Sequence, residues 1–296
     1  MRGSEVSASG NTNALTALRA FGDELRRLRT GAGFRTQESA AAKLKCSQSK
    51  VSYVEAGKRW PDDDLLRKMF RVYGVDASTQ ADIRASVRAG QSLGRPWWDT
   101  AESREVFPGT SMQFFALEDV AETMWVHSGN YVPGLLQTRA YIEALVEFGQ
   151  REESAAHRRL FVEARLKRQH VLARQHPPTL HAFVLEAALR VVVGGRDVMR
   201  EQLGSLRAAV QRPHVTLRVV PFSAGAAATL GAPFQVYDFP GADRRSVTVR
   251  ETSRSDEVTD EEGVVEQMRR RFVELAAAAC SPEESVQLLE GIEKEL

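Results

Sequence analysis

Gln48, Ser49, Lys50, Ser52 and Tyr53 lie within six consecutive positions and carry the most suggestive chemistry of this chain. Gln can pair bidentately with adenine, Lys can donate to guanine O6 and N7, and Ser can reach a base or a phosphate, so together they form a reader of base edges. To act as one they must project from a helix that is held by its other side. Val51 and Val54 supply that side, Ser47 can cap a helix over 48–56, and Gly57 stands where a left-handed residue commonly ends one. Just upstream, Thr36 can cap a helix over 37–44 in which Ala40, Ala41 and Ala42 permit close approach. The spacing predicts helix, tight turn, helix, the second helix presenting its first residues to a groove. Two ordinary amphipathic core helices would share the bare pattern.

The match extends well beyond those two helices. Leu25, Arg26, Leu28 and Arg29, then Thr36, Gln37, Glu38 and Ala41, then Ser47, Val51, Ser52, Val54, Glu55, Gly57, Lys58, Arg59 and Pro61 follow one pattern. On these residues the stretch 24–75 resembles the Xre and phage-repressor type of helix-turn-helix domain. The resemblance implies double-stranded DNA as partner, with Gln37, Ser47, Gln48, Ser49, Lys50, Ser52, Tyr53, Lys58 and Arg59 as contact residues. It implies that Gln37 touches a phosphate and braces the reading helix, while Lys58 and Arg59 lie along the backbone. Two positions depart from the family. Lys45 occupies the turn position usually held by Gly, at a cost on the order of 1 kcal/mol, and Asp63 replaces an apolar residue at the start of the fourth helix.

Composition fits a soluble regulator. The chain has 296 residues, enough for two domains, and a hydrophobic content of 43%, enough for packed cores. Its two cysteines, Cys46 and Cys280, give neither a disulfide framework nor a metal quartet, and Cys46 reads as a buried structural thiol. No apolar run approaches a membrane span and no hydrophobic signal segment opens the chain, so a cytoplasmic location is expected. The net charge of +1 hides an asymmetry. Residues 1–90 hold 16 Lys and Arg against 10 Asp and Glu, the remainder 24 against 29. A basic head on an acidic body suits attraction of the head to phosphates.

Taken in order, residues 1–13 are small and polar and are expected to be a disordered tail. Residues 14–90 read as an all-helical head of five helices: Leu18, Phe21, Leu25 and Leu28 stripe the first, Leu66, Met69, Phe70 and Tyr73 the fourth, and 78–89 the fifth. Gly, Ser and Pro mark a linker at 91–96. The rest, 97–296, reads as an α/β domain with a mixed sheet and flanking helices. Its expected strands are 180–185, 215–220, 234–239 and 246–251, and its expected helices are 135–148, 152–175, 197–211, 261–279 and 282–296. The stretch 112–127 fits neither period.

A second resemblance covers 95–296. The phrases VPGLLQTRAY (132–141), RLKRQ (165–169), LEAALR (185–190), VVPFSAGAAATLGAPFQVYDFP (219–240) and SPEES (281–285) are similar to a large actinobacterial domain of unknown function that follows Xre-type heads in WhiJ-like regulators. Leu185 and the charged stretch 252–260 depart from that pattern. The resemblance implies a partner, a small acidic protein encoded by a neighbouring gene in an antitoxin-like arrangement. A small-molecule effector for this domain, or a DNA-tethered enzyme, are the alternatives. Enzyme signals are poor: there is no P-loop, no G-x-S-x-G and no H-E-x-x-H, the six histidines are scattered, and Glu186 near Arg190 reads as a structural ion pair. No catalytic residue, metal or cofactor is therefore assigned. Because one head makes few contacts, a homodimer on a palindromic operator is expected.

Overall fold

Leu18, Phe21 and Leu25 lie on the buried face of the first helix, α1 (Ser9–Gly31). The computed structural model describes residues 9–57, 60–92, 97–98, 100–107, 109–240, 246–251 and 256–296. The chain divides into two compact units, Met1–Asp99 and Thr100–Leu296. In the first, α1 is followed by α2 (Gln37–Leu44), α3 (Gln48–Glu55), α4 (Asp63–Tyr73) and α5 (Ala77–Ser92). These are the five expected helices, with two corrections at the ends. Residues 9–13, read as part of a disordered tail, are helical, since extending a packed helix needs no new nucleus. Residues 91–92, read as linker, belong to α5, while 93–96 lie outside the described residues.

Local chemistry sets the helix starts. The side chains of Thr36, Ser47 and Asp62 accept from the backbone N–H of Ser39, Lys50 and Leu65 respectively. Lys45 ends α2 at φ 55°, the one non-glycine residue with positive φ among those described. The strain is local, because the amide of Cys46 still closes the turn onto Ala41 O at 3.1 Å. Cys46 itself is only partly buried against the core. That core joins Phe21, Leu25, Leu44, Val51, Val54, Leu66, Met69 and Phe70, each worth roughly 1.5–3 kcal/mol of burial for a side chain of this size.

The second unit is a three-layer α/β structure. Its helices are α6 (Ala101–Val106), α7 (Gly109–Val120), α8 (Arg139–Gly149), α9 (Ala155–Gln169), α10 (Glu186–Arg190), α11 (Arg196–Ala209), α12 (Glu262–Ala278) and α13 (Pro282–Glu295). The strands are β1 (Thr123–Ser128), β2 (Thr179–Leu185), β3 (Val215–Val220), β4 (Phe234–Asp238), β5 (Val247–Glu251) and β6 (Asp256–Thr259), ordered β3-β2-β1-β4-β5-β6. β1, β2 and β3 run parallel through helical crossovers, and β4, β5 and β6 add antiparallel. One sheet face, with Met124, Leu180, Ala182, Val184, Leu217 and Tyr237, packs under α7, α8, α11 and α13. Phe183, Leu185, Val220, Phe234 and Val236 face the other way, onto Val265, Met268, Phe272 and Leu275 of α12.

Two strands escaped the sequence. β1 is central and buried on both faces, Met124 and Val126 toward one core and Trp125 toward the other, so its residues show no polar alternation. β6 lies in the charged stretch 252–260, outside the expected strands. It is an edge strand, where charge is ordinary protection against further pairing.

Candidate nucleic-acid interface

α3 is amphipathic in an unusual division of roles. Val51, Val54 and Glu55 are buried, whereas Gln48, Ser49, Lys50 and Tyr53 are exposed and Ser52 is half-buried. Tyr53 keeps 53% of its surface, a large exposure for an aromatic ring. Ser47, the expected contact just before the helix, is its N-cap. Thus the structure places Ser47, Gln48, Ser49, Lys50, Ser52 and Tyr53 within one helix and its cap. Lys58 and Arg59 lie outside the described residues.

Glu55 anchors this helix from beneath. Its carboxylate, 1% exposed, accepts from Arg29 Nε at 2.6 Å and Arg29 Nη2 at 3.0 Å, a bidentate pair with a guanidinium that is itself 5% exposed. Arg29 Nη1 also donates to Phe34 O at 2.6 Å. The pairing raises the Arg29 pKa. Gln37 Nε2 donates to Glu55 Oε2 at 3.0 Å, and Gln48 Nε2 donates to Gln37 Oε1 at 2.9 Å. A continuous chain, Arg29 to Glu55 to Gln37 to Gln48, therefore runs from the core to the exposed face and fixes which way the Gln48 amide turns. The backbone is held as tightly. A Cβ on Gly22 of α1 would sit 2.6 Å from Glu55 O and 2.9 Å from Val54 O, so only glycine permits this approach.

Gln37, expected to touch a phosphate and to brace the reading helix, makes side-chain bonds to two residues of α3, Glu55 and Gln48. What chemistry alone did not find was the partnership of Arg29 with Glu55. They are 26 positions apart, and each reads as an ordinary charged residue on its own helix.

Residues 20–83 match a family model described as a helix-turn-helix domain. Residues 111–291, more than half of the chain, match one described as a domain of unknown function, DUF5753. The chain belongs to the DUF5753 family. No curated protein and no solved structure matches it.

In the DUF5753 domain the one residue weighed as catalytic, Glu186, is bound up in structure. Its Oε1 accepts from Arg190 Nε at 2.6 Å and its Oε2 from the Phe222 backbone N–H at 2.8 Å, while Arg190 Nη1 reaches Glu295 Oε2 at 2.5 Å. Among the described residues no group of three or more His, Cys, Asp or Glu could hold a metal ion, and no helix is long and apolar enough to cross a membrane.

His127 on β1 is fully buried beside the Phe234 ring and donates from Nε2 to Leu230 O at 2.5 Å. Loss of water lowers its pKa below the usual histidine value. The unfolded chain therefore takes up this proton first. Stability contributed by neutral His127 is present above about pH 6.5 and lost as pH falls below it, by up to about 1.4 kcal/mol per pH unit. His181, half-buried against Trp125 and shifted the same way, adds to the trend. Urea unfolding between neutral and mildly acidic pH should show a shallower loss for His127→Asn than for the parent. Equal slopes would remove His127 from the account.

Proposed function

We propose that the chain is a sequence-specific DNA-binding transcriptional regulator of Xre type. It binds a palindromic operator as a homodimer, in the cytoplasm, and its DUF5753 domain binds a small protein encoded by a neighbouring gene in the antitoxin-like manner of WhiJ-like actinobacterial regulators. The observation that carries the DNA reading is the α3 surface, with Gln48, Ser49, Lys50 and Tyr53 exposed on a helix whose opposite side is buried and pinned through Glu55. A helix in the major groove needs that combination of exposed hydrogen-bonding groups and a fixed axis. The charge asymmetry between residues 1–90 and the remainder supports it. In this reading the C-terminal domain has a binding role and no catalytic one.

Gln48→Ala and Lys50→Ala should each cost about 1–3 kcal/mol of operator binding and relax preference at one base position. Gln37→Ala should act through Gln48, so its effect and that of Gln48→Ala should fall short of additive in a double-mutant cycle. Genome-wide mapping of bound sites followed by titration of these variants tests the assignment. Parent-like binding by both Gln48 and Lys50 variants removes α3 as the reader. Co-purification of the full chain with its genomic neighbour tests the partner claim separately.

A further inference from the structure

In the DUF5753 domain deeply buried charges answer one another, Glu118 of α7 accepting from Arg168 of α9 at 2.6 and 2.8 Å. The head presents the opposite case, an apolar group left facing water. Among its described residues, Tyr53 is the one large hydrophobic side chain that is exposed, with 53% of its surface accessible. Phe21, Leu25, Met69 and Phe70 enter the core, while Leu28, Phe34, Trp60 and Val72 rest partly buried against it. A single exposed ring is ordinary on a protein surface, so its place is what makes this one informative. Ser49 and Lys50, four and three residues before Tyr53, share its side of α3 and are exposed with it. The ring thus sits among the hydrogen-bonding groups of the reading surface.

Base edges in the major groove offer hydrogen-bond donors and acceptors, and their one apolar group is the C5-methyl of thymine. A phenyl ring on a helix in that groove has no other apolar complement. Four residues advance an α-helix by about 6 Å, and base steps are about 3.4 Å apart, so the ring comes within about two steps of the pair that Ser49 faces. We propose that Tyr53 is a thymine reader, its ring packing against the C5-methyl of a thymine close to that pair in each half-site of the operator. The assignment rests on the proposed reading of α3 as a major-groove helix and names what one of its residues recognises. A phosphate contact through the hydroxyl would add affinity without base preference. Ring and hydroxyl can be removed one at a time.

The full chain is titrated onto its mapped operator and onto duplexes in which each thymine in turn is replaced by deoxyuridine, which removes the methyl and keeps every hydrogen-bonding group. Parent affinity should fall about fourfold for each contacted methyl, the factor that burial of one such carbon supplies. Tyr53→Ala should weaken binding to the unmodified operator and lose this response, and Tyr53→Phe should retain it. A response that persists in Tyr53→Ala, or disappears in Tyr53→Phe, would overturn the proposal. So would a parent indifferent to deoxyuridine at every thymine, a result that stands even if a variant does not fold. A parent that selects no sequence at all would sink the reading of α3 together with this one, whereas a selective parent indifferent to deoxyuridine removes the thymine contact alone.

Discussion

Glu55→Ala is expected to destabilise the head by about 3–5 kcal/mol, the range for removing one partner of a buried ion pair. The cause is what remains. Arg29, 5% exposed, would keep only Phe34 O as an acceptor, and Gln37 would lose the oxygen that holds it under Gln48. The exposed pair Arg27–Glu24 at 2.6 Å makes the contrast, because solvent already satisfies both groups and Glu24→Ala should cost at most about 0.5 kcal/mol. Denaturant unfolding of the full chain, with hydrogen exchange followed at the α3 amides, separates the two. If Glu55→Ala costs under about 1 kcal/mol, the pair is hydrated in solution and something else pins α3. Operator affinity should fall as well, through loss of the fixed Gln48 amide rather than of a DNA contact.

Arg168→Met should produce a comparable loss in the body, about 3–5 kcal/mol at neutral pH, with a pH signature of its own. Glu118 is 3% exposed, and burial raises its pKa even with Arg168 present. A carboxyl whose folded pKa is raised contributes stability that is complete below its unfolded pKa, about 4.3, and lost as pH rises through the folded value. Without Arg168 that folded value rises further. The deficit of the variant should therefore be largest at neutral pH and shrink on acidification. Met retains apolar contact with Phe114 and Phe115, over whose rings the guanidinium lies at 4.7 and 5.5 Å, so cavity formation contributes little. A deficit that does not change with pH would mean that packing, and not the stranded carboxylate, sets the loss.

The head was legible because its signals are local. Caps at Thr36, Ser47 and Asp62 act three residues ahead, and the stripe of α4 repeats at helical spacing. β2 and β3 were legible as strands because Pro, Gly or charged residues bound short apolar runs with a helical segment between them, while their parallel pairing emerged only in the fold. What stayed hidden depends on distant neighbours. β1 looks like a continuation of α7 until β2 and β4 bury both its faces, and β6 reads as a polar loop until β5 pairs with it. The face of α3 could be chosen from Val51 and Val54, but its support could not, because Arg29 and Glu55 meet only once α1 crosses α3. Arg165 and Arg168 are three residues apart in one helix, yet only folding gives one of them a carboxylate.

Gly22 against the carbonyls of Val54 and Glu55 has an evolutionary side. The contacts that seat α3 lie at its far end and underside, while Ser49, Lys50 and Tyr53 project away from the core. If α3 reads DNA as proposed, descendants of one gene could exchange their target sequences through a few surface changes without first acquiring compensating mutations inside the head. Drift at Gly22 would meet a steric barrier from the start. Duplicated copies would be free to diverge in what they recognise and constrained in how they fold.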